Sequence, residues 1–449
     1  MTDHVTDTYL RRCLDGDRGL LDAVANAPFG EKFRVANEKE LLPRPLFISD
    51  KVITQFSADL LVFFDLLTSL PDRLFDGDLA AYCAALDMEP QRAAILSGFP
   101  GKPTVYGRVD AYHDGETLRL LEFNIGSAQG GIDRSEIGRG LLQVEPFAEF
   151  AAQHGLVHVH TGAKVAQLYR EATAELTGGA DPVVGFVESN SGFGPYLAPA
   201  ESYVEMMAAQ GIEVLLGQIR DVNERDGRIY LKDKRIDLIQ RHFTENEMVD
   251  EPGVTEAAER IFRAHEDGKV VLWTTLQSSL YHNKAALTLL SDTRRRSAFT
   301  AAEGEVIDRV LPWTRLLREP TTVVDGETVD LIDYCRAHRP ELIIKPQRAY
   351  KGDGIVPGWD SDDAEWAAAL ADGVEQGALI QRRVLRRADR VVSPETGEVD
   401  EYASTWGVFV TPHGYAGCSL RAMPLEDEIA RHTPFRRAAS VFEFPEAAS

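Results

Sequence analysis

A chain of 449 residues, 44% hydrophobic and 27% charged, is long enough for two or three domains, or for one interlocked set of α/β lobes, and excludes an intrinsically disordered protein. Its net charge of −23 opposes nonspecific binding to nucleic acid or anionic membranes, so an anionic substrate must enter through a locally basic pocket. No apolar run reads as a bilayer span, the first sixteen residues lack a signal-peptide core, and Cys13, Cys83, Cys335 and Cys418 show no metal-like pairing; the expectations are a cytoplasmic location, buried free thiols and no disulfide framework.

Residues 1–100 read as mostly helical, with apolar residues at helical spacing over 53–70 and 79–96. A hairpin comes next: Arg108-Val109-Asp110-Ala111-Tyr112, a polar break, then Leu118-Arg119-Leu120-Leu121-Glu122-Phe123-Asn124. Glu122 and Asn124 are two residues apart and point the same way on a strand, while Leu121 and Phe123 point into the core. Two carboxylates and an amide oxygen on adjacent strands make a hard-oxygen site, for which Mg²⁺ bridging nucleotide phosphates is a common occupant. Register decides whether Asp110 joins them. A two-residue Asp114-Gly115 turn would pair Asp110 with Arg119 and send Glu122 to the other face; a three- or five-residue loop, or a bulge, keeps all three together. An ordinary amphipathic hairpin with a polar outer face is the plainer alternative.

From about 160 to 260, strands at 183–187, 213–216 and 236–239 alternate with helices at 164–176 and 202–210, which predicts a parallel sheet with ligand loops at the strand C-ends. Glu188 and Ser191 would sit on such a loop. Glu188 and Glu245 are acids placed to meet a cation, or are solvated loop acids. Arg241 and His242 would hold a substrate carboxylate, or cap a strand end.

In the last third, Asn283 reads as a helix N-cap, and Lys284 beside it opposes the helix dipole unless an anion lies there. The apolar strand 342–344 ends in Lys345-Pro346 and runs through Arg348 and Lys351 to Gly352 and Gly354, whose backbone amides can approach an anion closely. A solvent-facing lysine before a glycine turn is the plainer reading of that segment. A second apolar strand at 378–380 leads into Gln381-Arg382-Arg383-Val384, whose backbone is placed to meet an adenine edge. An antiparallel stretch from 405 to 421 ends in Arg421.

Taken in order, these motifs resemble the ATP-grasp superfamily, specifically the circularly permuted branch that includes glutathionylspermidine synthase. In ordinary ATP-grasp enzymes the lysine and glycine-loop strands come first; here Asp110 precedes Lys345 by 235 residues. The resemblance runs from about 100 to 425 and implies an α/β fold in permuted order behind a helical N-terminal segment. It implies four parts: a helical segment over 1–100, the metal-ligand hairpin over 101–150, an α/β substrate lobe over 151–265 and an ATP-clamping lobe over 266–449. It further implies Mg²⁺ at Asp110, Glu122 and Asn124, and Arg108 on the transferring phosphoryl and the acyl substrate. Ser127 falls where the synthase has a serine on its acid substrate, and Glu188 and Arg241 complete the substrate set. ATP would be held by Lys284, Lys345, Arg348, Gly352, Gly354, Gln381, Arg382, Val384 and Arg421.

The implied activity is ADP-forming condensation of a small amino acid, such as glutamate, with a second amino acid or an amine through an acyl phosphate. The implied partners are those two small molecules, with no nucleic acid and no membrane, and a homodimer is left open. Departures are the run Ile125-Gly126-Ser127-Ala128-Gln129-Gly130-Gly131, where the synthase has a threonine-rich stretch, and the segment around Glu188. They put glutathione and spermidine in doubt as substrates. A phosphotransferase acting on a small acceptor, or a nucleotide-binding protein without catalysis, remain the alternatives.

Overall fold

Gly107–His113 and Leu118–Ile125 close one edge of a seven-stranded sheet in a computed structural model that describes residues 4–37, 41–98, 102–324, 326–347, 354–425 and 436–446. The strand order is Leu46–Ser49, Arg437–Phe444, Gly414–Pro424, Val399–Thr411, Gly107–His113, Leu118–Ile125, and Ala388–Val392 also pairs with Val399–Thr411. Leu46–Ser49 runs parallel to Arg437–Phe444, and the other pairings are antiparallel. One face of this sheet carries Trp406, Val408 and Leu420, which join the largest buried cluster.

Helix Asp50–Phe75 fills the same cluster. Ser49 Oγ caps its start by accepting from the Lys51 amide at 3.2 Å, and Ile53, Phe56, Leu60, Phe63, Leu67 and Leu70 bury one stripe at helical spacing. By length and composition this helix could cross a bilayer, contrary to the expectation that no such run exists, but 56% of its most apolar stretch is buried inside the protein. Asp59, which interrupts the apolar run, is buried and neutralised by Arg309 at 2.7 Å. It is the core helix of the large sheet.

A four-stranded sheet, Val271–Trp273, Leu238–Arg241, Val183–Glu188 and Glu213–Gln218, is parallel throughout, as the strand–helix alternation predicts. Val187 lies opposite Arg241, so Glu188 and Arg241 end their strands side by side. A third sheet, antiparallel, orders Thr314–Leu316, Leu379–Arg382, Leu342–Lys345 and Val356–Pro357, with Trp366 and Leu370 of helix Asp363–Glu375 packed into its core.

The large sheet crosses the four-part division read from the sequence. It takes Leu46–Ser49 from the segment expected to be helical, and its strands at 388–444 come from the same 266–449 stretch that builds the lysine sheet. Strands far apart along the chain can pair as well as consecutive ones, as Leu46–Ser49 and Arg437–Phe444 do here.

Candidate active site

The hairpin turn has four residues, 114–117, closed by the Asp114 amide on the Thr117 carbonyl at 3.0 Å and by Asp114 Oδ1 accepting from the Glu116 and Thr117 amides. His113 pairs with Leu118 and Ala111 with Leu120; the register then shifts by one, so that Asp110 faces Glu122 and Arg108 faces Asn124. Leu121 is the extra residue. Of the alternatives open from the sequence it is the bulge that occurs, and it keeps Arg108, Asp110, Glu122 and Asn124 on one face. Gly407 lies opposite Asp110 on the next strand, and a Cβ there would come within 2.8 Å of Arg108 Cδ. Only glycine leaves room for Arg108 to lie across the sheet.

Arg108, Asp110, Glu122, Asn124, Ser127, Glu188, Arg241, Lys284, Lys345 and Arg421 all line one cleft of about 950 Å³. The hairpin, the parallel sheet and the lysine strand form its walls. Arg108 Nε and Nη2 donate to the two Asp110 oxygens at 2.8 and 3.2 Å, its Nη1 donates to the Gly130 carbonyl at 2.7 Å, and Arg421 Nη2 donates to Asp110 Oδ2. Burial alone would raise the pKa of Asp110, but the two guanidinium groups overcome it and hold the carboxyl far below the usual range.

Lys284 places Nζ 3.1 Å from Glu122 Oε2, which supplies the negative charge that its position before helix Ala285–Ser291 calls for. Asn283 Oδ1 accepts from the Ala285 amide at 2.9 Å. Lys345 is half-buried at the end of its strand and donates to Gln381 Oε1 at 2.6 Å; desolvation pushes its pKa down to about 8, with Glu122 opposing and Lys284 adding to the shift. Arg436 also lines the cleft beside Arg421 and was not read from the sequence. Ala438 pairs with Arg421 across the sheet, and Arg436 precedes it by two residues; that relation exists only once the register is known. Arg108, Arg421, Arg436, Lys284 and Lys345 against Asp110 and Glu122 leave this end of the cleft cationic in a chain of net charge −23. That arrangement suits a polyanion.

The remaining sequence candidates fall differently. Gln381 stands behind Lys345 and donates to Thr314 Oγ1 at 3.0 Å. The amides of Arg382 and Arg383 donate to the carbonyls of Trp313 and Glu341 at 2.8 and 2.7 Å, and Gln381, Arg382 and Val384 are not among the residues that line the cleft. The Arg382 guanidinium donates to the Tyr334 hydroxyl at 3.2 Å. Gly354 has φ +68°, and a Cβ there would crowd Pro346. Arg348 and Gly352 lie outside the described residues.

Ser127 is fully buried; its Oγ donates to the Arg241 carbonyl at 2.6 Å and accepts from Thr274 Oγ1 at 2.9 Å, tying the hairpin to the parallel sheet. Arg241 is buried and donates to the carbonyls of Phe243, Thr274 and Thr275 and to Ser278 Oγ. Of the two readings of Arg241, this geometry is a strand-end clamp, since its donors are engaged by the protein. Glu188, which lines the cleft from the end of its parallel strand, has its pKa raised to about 7, chiefly by burial and further by Glu247 and Glu251.

The chemistry of the hairpin donors fits Mg²⁺: Asp110, Glu122 and Asn124 are hard oxygens on one face. Both Asp110 oxygens are engaged by arginines, and Glu122 accepts from Asn124 Nδ2 at 3.3 Å on Oε1 and faces the Lys284 ammonium at 3.1 Å on Oε2.

No family model matches the sequence, and no curated protein matches it. Among solved structures, the chain is similar to a glutathione synthetase-like effector from Globodera pallida in its apo form, with a TM-score of 0.53 and 12% identity over 99% of this chain and 98% of that one. A provisionally named gamma-glutamylcysteine synthetase from Methylobacillus flagellatus KT is similar at a TM-score of 0.43 and 11% identity, over 88% of this chain and 89% of that one, too low to bear on the fold. The mixed α/β architecture is therefore one that the chain shares with the effector over nearly its whole length.

Proposed function

We propose that the protein is an ATP-dependent, ADP-forming ligase that joins a carboxylic acid, such as glutamate, to an amine or second amino acid, on the ATP-grasp plan in circularly permuted order. One observation carries this reading: hairpin, Lys284 helix, lysine strand and Arg421 strand come from distant parts of the chain and meet in one cationic cleft with two acidic metal-type ligands. The position of the hairpin 235 residues before Lys345 supports the permuted order. The fold shared with a glutathione synthetase-like effector supports a peptide-forming ligase in general.

Lys284, Lys345, Arg421 and Arg436 neutralise phosphate charge, and Gln381 orients the Lys345 ammonium. Arg108, pinned by Asp110 and the Gly130 carbonyl, is aimed along the hairpin face where an acyl oxygen would develop charge; such a preorganised donor contributes roughly 3–4 kcal/mol. Mg²⁺ on Glu122 and Asn124, with Asp110 beside them, would supply charge neutralisation between phosphates.

The test is incubation with ATP, Mg²⁺ and pools of carboxylic acids, amino acids and amines, reading ADP, phosphate and the mass of new products. A product lighter by one water than its two precursors establishes the ligase. ADP with a phosphorylated acceptor, and no condensed product, replaces it with a phosphotransferase.

A further inference from the structure

Beside the cleft, a buried hydrogen-bonded chain runs from Tyr203 and Tyr169 through Gln240 to His242, whose ring stands next to Glu188. The Tyr169 hydroxyl donates to Gln240 Oε1 at 2.8 Å and stands 3.0 Å from the Tyr203 hydroxyl. With its oxygen so engaged, Gln240 turns its amide nitrogen toward His242 Nε2 at 3.1 Å. An amide nitrogen can only donate, so Nε2 carries the lone pair and Nδ1 carries the hydrogen. The ring is held flat against Phe186, with centroids 3.8 Å apart and 20° between planes. Its Nδ1–H therefore faces Glu188 Oε1 at 3.6 Å. Burial, with Arg241 adding to it, pushes the imidazole pKa down to about 3, which keeps this donor neutral.

The charged and titratable groups around Glu188 are Glu247 and Glu251 from the neighbouring helix and its end, and His242 and Arg241 from the adjacent strand; the Ser189 amide also bonds it. Glu247 is engaged with the Thr244 amide and hydroxyl, and Glu251 with the Asn190 amide; Glu188 and Glu245 also line the cleft, and Glu245 lies within electrostatic reach of Arg241 and His282. Arg241 is saturated by carbonyls, and Arg92, which also lines the cleft, is paired with Glu89 and Asp250.

We propose that Glu188 is the base that deprotonates the incoming amine, with His242 as a positioning residue whose tautomer is fixed through Gln240 and Tyr169. This rests on the ligase reading and assigns its second half-reaction. The amine enters as an ammonium. One N–H proton passes to the Glu188 carboxylate, and the freed lone pair attacks the acyl carbon of the acyl phosphate. The carbon–oxygen bond to phosphate breaks with its electron pair on the phosphate oxygen, and that phosphate takes the second N–H proton as the amide forms. Glu188 returns its proton to water after product leaves. A carboxyl that titrates near neutral pH, lacking a fixed cationic partner, is suited to this exchange.

Glu188→Gln removes the base and keeps the size. The experiment compares it with the unaltered protein in two assays, using ATP, Mg²⁺ and the same acid pool. One offers alkyl amines and amino acids; the other offers hydroxylamine, which is unprotonated at neutral pH and needs no base. Thermal melting checks that the variant is folded. The expected result is retained hydroxamate formation with condensation to protonated amines lost by about a hundredfold. The acid limb of the wild-type pH profile, centred near neutrality, should vanish in the variant and move to higher pH in His242→Phe, where the imidazole N–H dipole that faces the carboxylate is gone. Condensation at the wild-type rate in Glu188→Gln, or equal loss of both products in a folded variant, overturns the role of Glu188 and leaves the ligase standing. Absence of hydroxamate and of condensed product from the unaltered protein overturns the ligase reading, and this inference with it.

Discussion

The Lys284 ammonium and the Glu122 carboxylate stand 3.1 Å apart, so a group suited to phosphate and a group suited to a metal hold each other. On the proposed function, binding of a metal nucleotide separates them. Glu122→Gln should then have opposite effects on two quantities: it frees Lys284 and tightens binding of metal-free ATP several-fold, yet it removes Mg²⁺-dependent turnover. Lys284→Met should weaken ATP binding by about 10- to 100-fold, the scale of one charge-assisted contact. Calorimetric titration with ATP, with and without Mg²⁺, measures both.

Asp110 is the hub of two buried guanidinium contacts, and its removal should show in stability before chemistry. Asp110→Asn leaves Arg108 and Arg421 facing each other across the sheet without their counter-charge, which should cost about 3 kcal/mol. The sign with pH is set by the depressed pKa. A carboxyl held below its unfolded value stabilises fully above that value and loses its contribution as pH falls below it. The gap in melting temperature between the two proteins should therefore be constant at neutral pH and shrink below about pH 4.

Lys345 carries the reverse sign. Its folded pKa of about 8 lies under the ordinary lysine value, so its charged form disfavours folding at lower pH and that penalty is relieved as pH rises through about 8. A phosphate beside the ammonium restores the charge. ATP binding should take up close to one proton from about pH 8.5 to 9 and almost none near about pH 6, read by titration calorimetry in buffers of different ionisation enthalpy. Lys345→Met should abolish the uptake.

Arg241 separates a clamp from a substrate ligand. Arg241→Met strips donors from the carbonyls of Phe243, Thr274 and Thr275 inside the protein, and should destabilise by about 2–4 kcal/mol in chemical unfolding. A variant of unchanged stability whose only defect is a raised KM for the acid would show that the side chain meets substrate instead.

The sequence made the local pieces readable because each is a matter of periodicity or short-range spacing. The Glu122–Asn124 alternation, the parallel order of 183–188 and 238–241, and the lysine at the end of the 342–345 strand all arise from side-chain period and apolar runs. Leu121 as the bulged residue did not, because a four-residue turn and a slipped register satisfy the same alternation. Leu46–Ser49 was absorbed into a helical segment, since four residues before a long helix carry no strand-specific period. Arg436 and Gly407 depend on neighbours that only strand pairing supplies. The apparent freedom of Arg241 and Ser127 had the same origin: the carbonyls that engage Arg241 include those of residues more than thirty positions away, and Ser127 bonds the Arg241 carbonyl from 114 away.

One edge of the sheet that carries Arg108 and Asp110 is built from Leu46–Ser49 and Arg437–Phe444, a pair of strands almost four hundred residues apart. During synthesis the Arg108 hairpin leaves the ribosome long before its neighbours Val399–Thr411 and Gly414–Pro424 exist. Arg108, whose partner Asp110 is shared with Arg421, can take its final place only after nearly the whole polypeptide has been made. Such long-range closure makes folding slow, and it ties assembly of the cationic cleft to completed translation: a chain that stops short of Arg421 lacks the guanidinium that shares Asp110 with Arg108.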